Sequence, residues 1–159
     1  MNTANLRRIQ NEIDQIRKRG SEYDKMFSID MVNDDVYNWK AIIYGPNDSL
    51  YEGYKFNLDI KLSHDYPYSP IGVKFITPIR HVNINTHGDI CLDILKHNWT
   101  PSQNIQSIML SIYILLSEPN IEDPLNSDLA KLYRTNKQEY ENSIKQFCQI
   151  TESNIRCTH

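Results

Sequence analysis

The sequence lacks the features that would indicate a membrane, secretion or a nucleic acid. No stretch approaches the roughly 18 consecutive apolar residues of a membrane span, because Ser111 interrupts the longest apolar run, residues 108–116. The first residues contain no apolar segment of a secretory signal, so we expect a cytoplasmic protein, with the nucleus as a further compartment. The formal net charge is -3, and without a basic surplus we expect neither nucleic acid nor a membrane as a partner.

Cysteine is also scarce. The three residues Cys91, Cys148 and Cys157 form an odd set without the paired spacing of a disulfide framework. This pattern is typical of reduced thiols. With 159 residues, 40% hydrophobic and 23% charged, the chain is expected to form a single domain with one core.

Hydrophobic periodicity predicts an α+β domain. Apolar residues recur at helical spacing after Thr3 and stop at Gly20, which predicts an N-terminal helix. Four extended segments with short connections follow, so we expect a four-stranded antiparallel meander sheet. After a long irregular segment the helical period returns in three further helices. The predicted strands are residues 26–32, 39–44, 55–62 and 73–76, and the predicted later helices are residues 102–118, 127–134 and 137–153.

The irregular segment, from residue 77 to residue 98, is where we expect function, because long unstructured loops are uncommon in compact domains. A zinc site would need close pairs of Cys or His, whereas here one cysteine stands among unevenly spaced histidines. A cysteine hydrolase would need a histidine within reach of the thiol. Acyl transfer through a thioester would need an accessible sulfur and an oxyanion donor. A buried cysteine among structural histidines is the remaining interpretation. The side chains concerned are His81, Asn83, His87, Asp89, Cys91, Asp93 and His97.

A series of short motifs runs through the chain. They are Gly45-Pro46-Asn47-Asp48-Ser49, Asp65-Tyr66-Pro67-Tyr68-Ser69-Pro70, His81-Val82-Asn83, Gly88-Asp89-Ile90-Cys91-Leu92-Asp93, Trp99-Thr100-Pro101, Glu118-Pro119-Asn120 and Asp123-Pro124-Leu125. In order and spacing, from about Leu6 to Phe147, the sequence resembles the ubiquitin-conjugating enzymes, in particular members with little beyond the core. The resemblance implies a core domain at residues 1–153, a short tail at residues 154–159, and no metal or organic cofactor.

The resemblance also implies which residues carry the chemistry. Cys91 would accept the C-terminus of ubiquitin as a thioester from the activating enzyme and pass it to a lysine, usually with a ligase. Asn83 matches an asparagine that stabilises the oxyanion or braces the loop. Asp123 and Asp93 match the acidic positions of lysine-reactive members, where a carboxylate orients the amine and helps to remove its proton. His81 matches a histidine that holds the loop through hydrogen bonds.

Two surfaces follow from the same resemblance. Tyr68, Pro101 and Ser102 match positions that meet the ligase, which we expect to be of the RING type. Arg7 and Arg8 match the basic face of the first helix that meets the activating enzyme. The implied partners are therefore ubiquitin, the activating enzyme, a ligase and protein substrates.

The sequence departs from the family pattern at three points. Val82 replaces the proline of His-Pro-Asn, which predicts that Asn83 is held less rigidly. Pro70-Ile71 lacks a second proline and any cis bond that this proline would support. Asp89 is expected to raise the pKa of the Cys91 thiol, an effect that a protonated His87 would offset.

Two other functions remain open on the sequence alone. One is an inactive variant that binds ubiquitin or a ligase without forming a thioester. The other is conjugation of a different ubiquitin-like modifier, which would use the same loop and different surfaces.

Overall fold

The computed structural model describes residues 3–157, with side chains through residue 153. It confirms the α+β fold, with an N-terminal helix, a four-stranded sheet, a long loop and three later helices. The elements are α1 Thr3–Lys18, α2 Ser21–Asp24, β1 Phe27–Val32, β2 Asp35–Tyr44, β3 Lys55–Lys61, β4 Gly72–Phe75, α3 Ile105–Ser117, α4 Ser127–Thr135 and α5 Lys137–Cys157.

The sheet is an antiparallel meander with the strand order β1-β2-β3-β4. Its two faces differ, as the alternation in β3 predicts. Phe56, Leu58 and Ile60 are buried, whereas the residues between them are exposed. Because successive side chains of a strand point to opposite faces, one face of the sheet is solvated and the other forms a wall of the core.

The helices supply the rest of the core. Buried residues of α1, α3, α4 and α5 join those of the sheet in one hydrophobic cluster. Helix α3 contributes most, with buried side chains at Ile105, Ile108, Met109, Ile112, Leu115 and Leu116. No helix within residues 3–157 is long and apolar enough to cross a membrane.

Several element boundaries differ from the prediction. Strand β2 begins at Asp35, not at residue 39, because Asn33 and Asp34 take positive φ angles of 54° and 58° and form a tight two-residue connection. Helix α3 begins at Ile105, because the Asn104 side chain caps it by accepting from the Ser107 N–H. Helix α5 extends to Cys157, so residues 154–157, which the prediction assigns to a tail, are helical. Residues 158 and 159 of that tail lie outside the described residues.

The loop between β4 and α3 attaches to the open edge of the sheet. The Phe75 N–H donates to the Gly88 carbonyl over 2.9 Å, and Lys74 and Asp89 form an isolated β-bridge. Gly88 has a φ of +88°, and a Cβ there would lie 2.1 Å from the Phe75 carbonyl oxygen. Only glycine meets both conditions without strain.

A buried histidine anchors the same loop to α3. His81 is 1% exposed. Its Nε2 lies 2.8 Å from the Leu115 carbonyl oxygen, and its Nδ1 accepts from the Asn83 N–H over 2.9 Å. One ring nitrogen therefore donates and the other accepts, which is the arrangement of a neutral imidazole. Burial lowers the pKa of His81 to about 4.

The two glycines with positive φ offer a matched test of the loop attachment. Gly53 has a φ of +87° but open space where a Cβ would lie. We expect Gly53→Ala to cost about 1 kcal/mol of unfolding free energy, from backbone conformation alone. Gly88→Ala should cost at least about 2 kcal/mol more, because the new methyl group displaces the Phe75 carbonyl. Urea unfolding of both variants measures this difference, and equal losses would contradict the account of Gly88.

The buried imidazole predicts an acid dependence of stability. The folded-state pKa of about 4 lies below the ordinary 6.5, so the unfolded chain binds the extra proton first. The contribution of neutral His81 is complete above pH 6.5 and is lost as the pH falls to 4, by up to about 3 kcal/mol. The free energy of unfolding, measured from pH 7 to pH 4, should fall less steeply in His81→Asn than in the wild type. His97→Asn, which changes an exposed histidine, should keep the wild-type slope; if His81→Asn keeps it too, His81 is not the cause.

Candidate active site

Cys91 lies in the long loop, on a short backbone ladder that fixes its position. Ile84 and Ile90 form an isolated β-bridge, and the Cys91 N–H donates to the Asn83 carbonyl over 2.8 Å. The side chain is neither buried nor fully exposed. The sulfur can therefore be approached from solvent, whereas the other free cysteine whose side chain is described, Cys148, is buried in the core.

The Cys91 thiol faces a carboxylate. Its Sγ lies 3.2 Å from Oδ2 of Asp123, to which the S–H donates. Partial burial and the Asp123 carboxylate raise the pKa of the Cys91 thiol, Asp93 adds to this effect, and the Lys96 ammonium opposes it. The resting sulfur is thus held in its protonated form.

Asn83 is buried, and its side chain is bonded to the segment that carries Asp123. Its Nδ2 donates to the carbonyls of Asn120 and Asp123, and its Oδ1 accepts from the Asn120 N–H. With its backbone N–H on His81 and its carbonyl on the Cys91 N–H, Asn83 makes five hydrogen bonds and is 0% exposed. In this geometry the amide braces the loop; donating to an oxyanion would require it to release a carbonyl.

The valine before Asn83 does not leave this segment loose. Val82 is fully buried, and its carbonyl accepts from the N–H groups of Leu125 and Asn126. Packing and hydrogen bonds therefore hold Asn83 where the proline ring is missing. Among the described residues the one cis peptide bond joins Tyr66 to Pro67, at the first proline of the motif and not next to Ile71, where a proline is missing.

The acidic residues around the thiol affect its pKa differently from the prediction. Asp93 begins a short 3-10 turn, Asp93–Leu95, and is exposed. It acts on Cys91 through its charge, with no direct hydrogen bond to the sulfur. The expectation for Asp89 is wrong: its carboxylate accepts from the Asn85 side chain and is not among the groups that shift the thiol pKa. The opposing positive charge belongs to Lys96 and not to His87.

The three residues expected at the ligase surface lie on two neighbouring loops. Tyr68 is 77% exposed, and Pro101 and Ser102 are also exposed. Tyr68 and Pro101 line the same hollow, of about 310 Å³. The Ser102 hydroxyl lies 2.6 Å from that of Thr100, and Ser102 does not line this hollow. The structure therefore brings an aromatic ring and a proline together at the surface.

The two arginines of α1 are in different situations. Arg7 is exposed, and its guanidinium has no hydrogen bond or ion pair with residues 3–153, whose side chains are described. Arg8 is bonded inside the chain through all three guanidinium nitrogens, to Glu12 and to the carbonyls of Pro101 and Gln103. Arg7 is thus the arginine that is free to meet a partner.

Two features of the site were not predicted. Lys96 follows Cys91 at the end of the 3-10 turn, and a lone lysine in a loop carries no sequence signal that distinguishes it from surface charge. The bonding of Asn83 to Asn120 and Asp123 joins residues about 40 positions apart. In the part of the chain that the structure describes, no three His, Cys, Asp or Glu side chains are placed to hold a metal ion.

Comparisons with known proteins show the family of this chain. The family model for ubiquitin-conjugating enzymes matches residues 8–148. A probable ubiquitin-conjugating enzyme E2 of Acanthamoeba polyphaga mimivirus is 53% identical over 149 residues, which cover 93% of this chain and 94% of the relative. A probable ubiquitin-conjugating enzyme E2 of Arabidopsis thaliana is 41% identical over 124 residues, covering 78% and 80%.

The solved E2 domain of a Toxoplasma gondii ubiquitin-conjugating enzyme superposes with a TM-score of 0.80 at 36% identity. The match covers 91% of this chain and 97% of that domain. Fold and sequence thus agree, and the chain belongs to the ubiquitin-conjugating enzyme family.

Proposed function

We propose that this protein accepts ubiquitin on Cys91 as a thioester and transfers it to lysine side chains with the help of a RING-type ligase. The observation that carries the proposal is the partly exposed Cys91 sulfur, 3.2 Å from the Asp123 carboxylate. A buried sulfur would have no path for the flexible tail of another protein. The compartment, cytoplasm or nucleus, stays a prediction.

Loading exchanges one thioester for another. The Cys91 sulfur attacks the carbonyl carbon of the thioester on the activating enzyme, so a new C–S bond forms and the old one breaks. The leaving sulfur takes up a proton, and the Cys91 proton passes to Asp123 or to water. Because Asp123 already accepts the S–H, it is placed to receive that proton.

Discharge forms an isopeptide bond. The lysine nitrogen attacks the acyl carbon, a C–N bond forms, and the C–S bond to Cys91 breaks. The amine must lose a proton in this step. The exposed Asp123 carboxylate, 3.2 Å from the Cys91 sulfur, is placed to accept it. A thioester is already activated, so positioning of the amine contributes more than a strong base. The brace from Asn83 holds Asp123 in that position.

The surfaces expected for the partners are separate from the thiol. The exposed Tyr68 ring and Pro101 offer an aromatic and apolar contact of the kind that anchors protein interfaces. The exposed Arg7 offers a positive charge on α1 to the activating enzyme.

The two thiols whose side chains are described, Cys91 and Cys148, provide a direct test of the nucleophile. After incubation with activating enzyme, ATP and ubiquitin, a non-reducing gel should show an adduct that thiol reagents remove. Cys91→Ala should abolish this adduct. Cys148→Ala should retain it, because Cys148 is buried and burial raises its thiol pKa to about 11. If the wild type forms no such adduct, or Cys148→Ala loses it, the proposal fails.

The Asp123–Cys91 contact predicts a pH shift and a rate effect. Because Asp123 helps to raise the pKa of the thiol, Asp123→Asn should move the midpoint of iodoacetamide alkylation of Cys91 to lower pH. Measurements in a Cys148→Ala, Cys157→Ala background isolate Cys91. The same variant should discharge ubiquitin to free lysine about tenfold more slowly or worse, because the proton acceptor is gone.

Glu122→Gln is the matched control, since Glu122 is an exposed neighbouring carboxylate that does not contribute to the thiol pKa. It should leave both the alkylation profile and the discharge rate unchanged. An alkylation midpoint in Asp123→Asn equal to that of the wild type would contradict the assigned contact.

A further inference from the structure

A buried carboxylate lies beneath the surface formed by Tyr68 and Pro101. Glu12 on α1 is 3% exposed, which is unusual for a glutamate. Its two oxygens accept hydrogen bonds from the Tyr66 hydroxyl, the Arg8 Nε–H at 3.0 Å and the Ile105 N–H at 2.9 Å. We call this set, Arg8, Glu12, Tyr66 and the Ile105 N–H, the Glu12 junction.

Each donor of the Glu12 junction belongs to a different part of that surface. Tyr66 sits at the base of the loop that carries Tyr68, and the Tyr68 N–H closes that loop on Asp65. Ile105 is the first residue of α3, directly after the loop that carries Pro101. One carboxylate therefore ties α1 to both loops.

Arg8 completes the connection. Its remaining guanidinium nitrogens donate to the Pro101 and Gln103 carbonyls, both over 2.6 Å, and its guanidinium lies 5.5 Å from the centre of the Tyr66 ring. The orientation of Arg8 in turn depends on its Nε–H bond to Glu12. The position of Pro101 is thus set through Arg8 by Glu12.

A second contact joins the two loops directly. The Trp99 indole N–H donates to the Pro67 carbonyl over 2.8 Å, and the Trp99 ring lies 6.2 Å from that of Tyr66. Any movement of Tyr66 is therefore transmitted to Trp99. The other tryptophan, Trp39, is buried in β2 and donates to the Val36 carbonyl, away from the Glu12 junction.

We propose that Glu12 is a positioning residue that holds the Tyr68–Pro101 surface in the shape that a RING-type ligase binds. The inference rests on the proposed function for the identity of the partner. A buried carboxylate that lost its donors would be strongly unfavourable, so the charge enforces one arrangement of the three donors. An apolar residue of similar size would fill the space without enforcing one arrangement of the donors.

The chemistry of the donors fits this role. Burial and the neighbouring Glu12 charge raise the pKa of Tyr66 far above its ordinary value, so its hydroxyl remains a donor at any physiological pH. In Glu12→Gln the carboxylate becomes an amide, in which only the oxygen can accept hydrogen bonds and the NH₂ group can only donate them. If its oxygen takes the Ile105 N–H, its NH₂ group faces the Arg8 Nε–H, and two donors cannot pair.

The two tryptophans give a readout that separates positioning from general destabilisation. In Glu12→Gln, hydrogen exchange of the Trp99 indole N–H followed by NMR should accelerate by about tenfold or more, the factor for the loss of one such hydrogen bond. Exchange of the Trp39 indole N–H should stay within about twofold of the wild type. Asp14→Asn, which changes an exposed acid of α1 bonded to Gln10, should alter neither.

Ligase dependence supplies the functional arm. A RING domain is chosen that accelerates ubiquitin discharge from the wild type, and its concentration is varied with each variant. Glu12→Gln should raise the half-stimulating concentration at least about fivefold, and Asp14→Asn should leave it unchanged. In a double-mutant cycle, Tyr66→Phe should add little in the Glu12→Gln background, because both changes remove the same bond.

The outcomes separate this inference from the proposed function. If both tryptophans accelerate equally, Glu12 supports general stability, and the inference is overturned. An unchanged half-stimulating concentration in Glu12→Gln would overturn it as well. If the wild type forms no thioester on Cys91, the proposed function fails, and the tryptophan exchange alone then decides whether Glu12 holds the surface.

Discussion

Hydrogen bonds from two buried side chains hold the active-site loop. The segment between β4 and α3 has little regular secondary structure, so many of its backbone N–H and C=O groups have no partner in a helix or sheet. Such groups must be satisfied when they are buried. His81 bonds the loop to the Leu115 carbonyl of α3, and Asn83 bonds it to Asn120 and Asp123. The Cys91 thiol faces the Asp123 carboxylate because both segments are fastened to Asn83.

Much of the fold could be predicted because hydrophobic periodicity reports directly on burial. The extended segment predicted at residues 55–62 matches β3, where Phe56, Leu58 and Ile60 are buried, and the helical period predicted at residues 102–118 matches α3. The boundaries were less accurate where side chains, and not periodicity, set them. Asn104 moves the start of α3 by its cap, and Asn33 and Asp34 close a turn whose geometry depends on two positive φ angles.

The structure brings Cys91, Asn83 and Asp123 together, but the sequence does not show how they interact. The sequence implied these residues through its family resemblance, and it could not show that the Asn83 amide is bonded to Asn120 and Asp123. It also assigned Asp89 the effect that Asp123 and Asp93 have on the thiol. Distances between side chains decide such effects, and a sequence contains no distances. Glu12 shows the same limit, because its bond to the Ile105 N–H spans 93 positions.

The attachment of Gly88 and Asp89 to β4 has a consequence for association between molecules. An uncovered strand at the border of a sheet exposes N–H and C=O groups to which a strand of another chain can add. Here the Gly88 carbonyl takes the Phe75 N–H, and Asp89 bridges Lys74. The segment that carries Cys91 therefore also shields the border of the sheet, so loosening it endangers solubility as well as the position of the thiol.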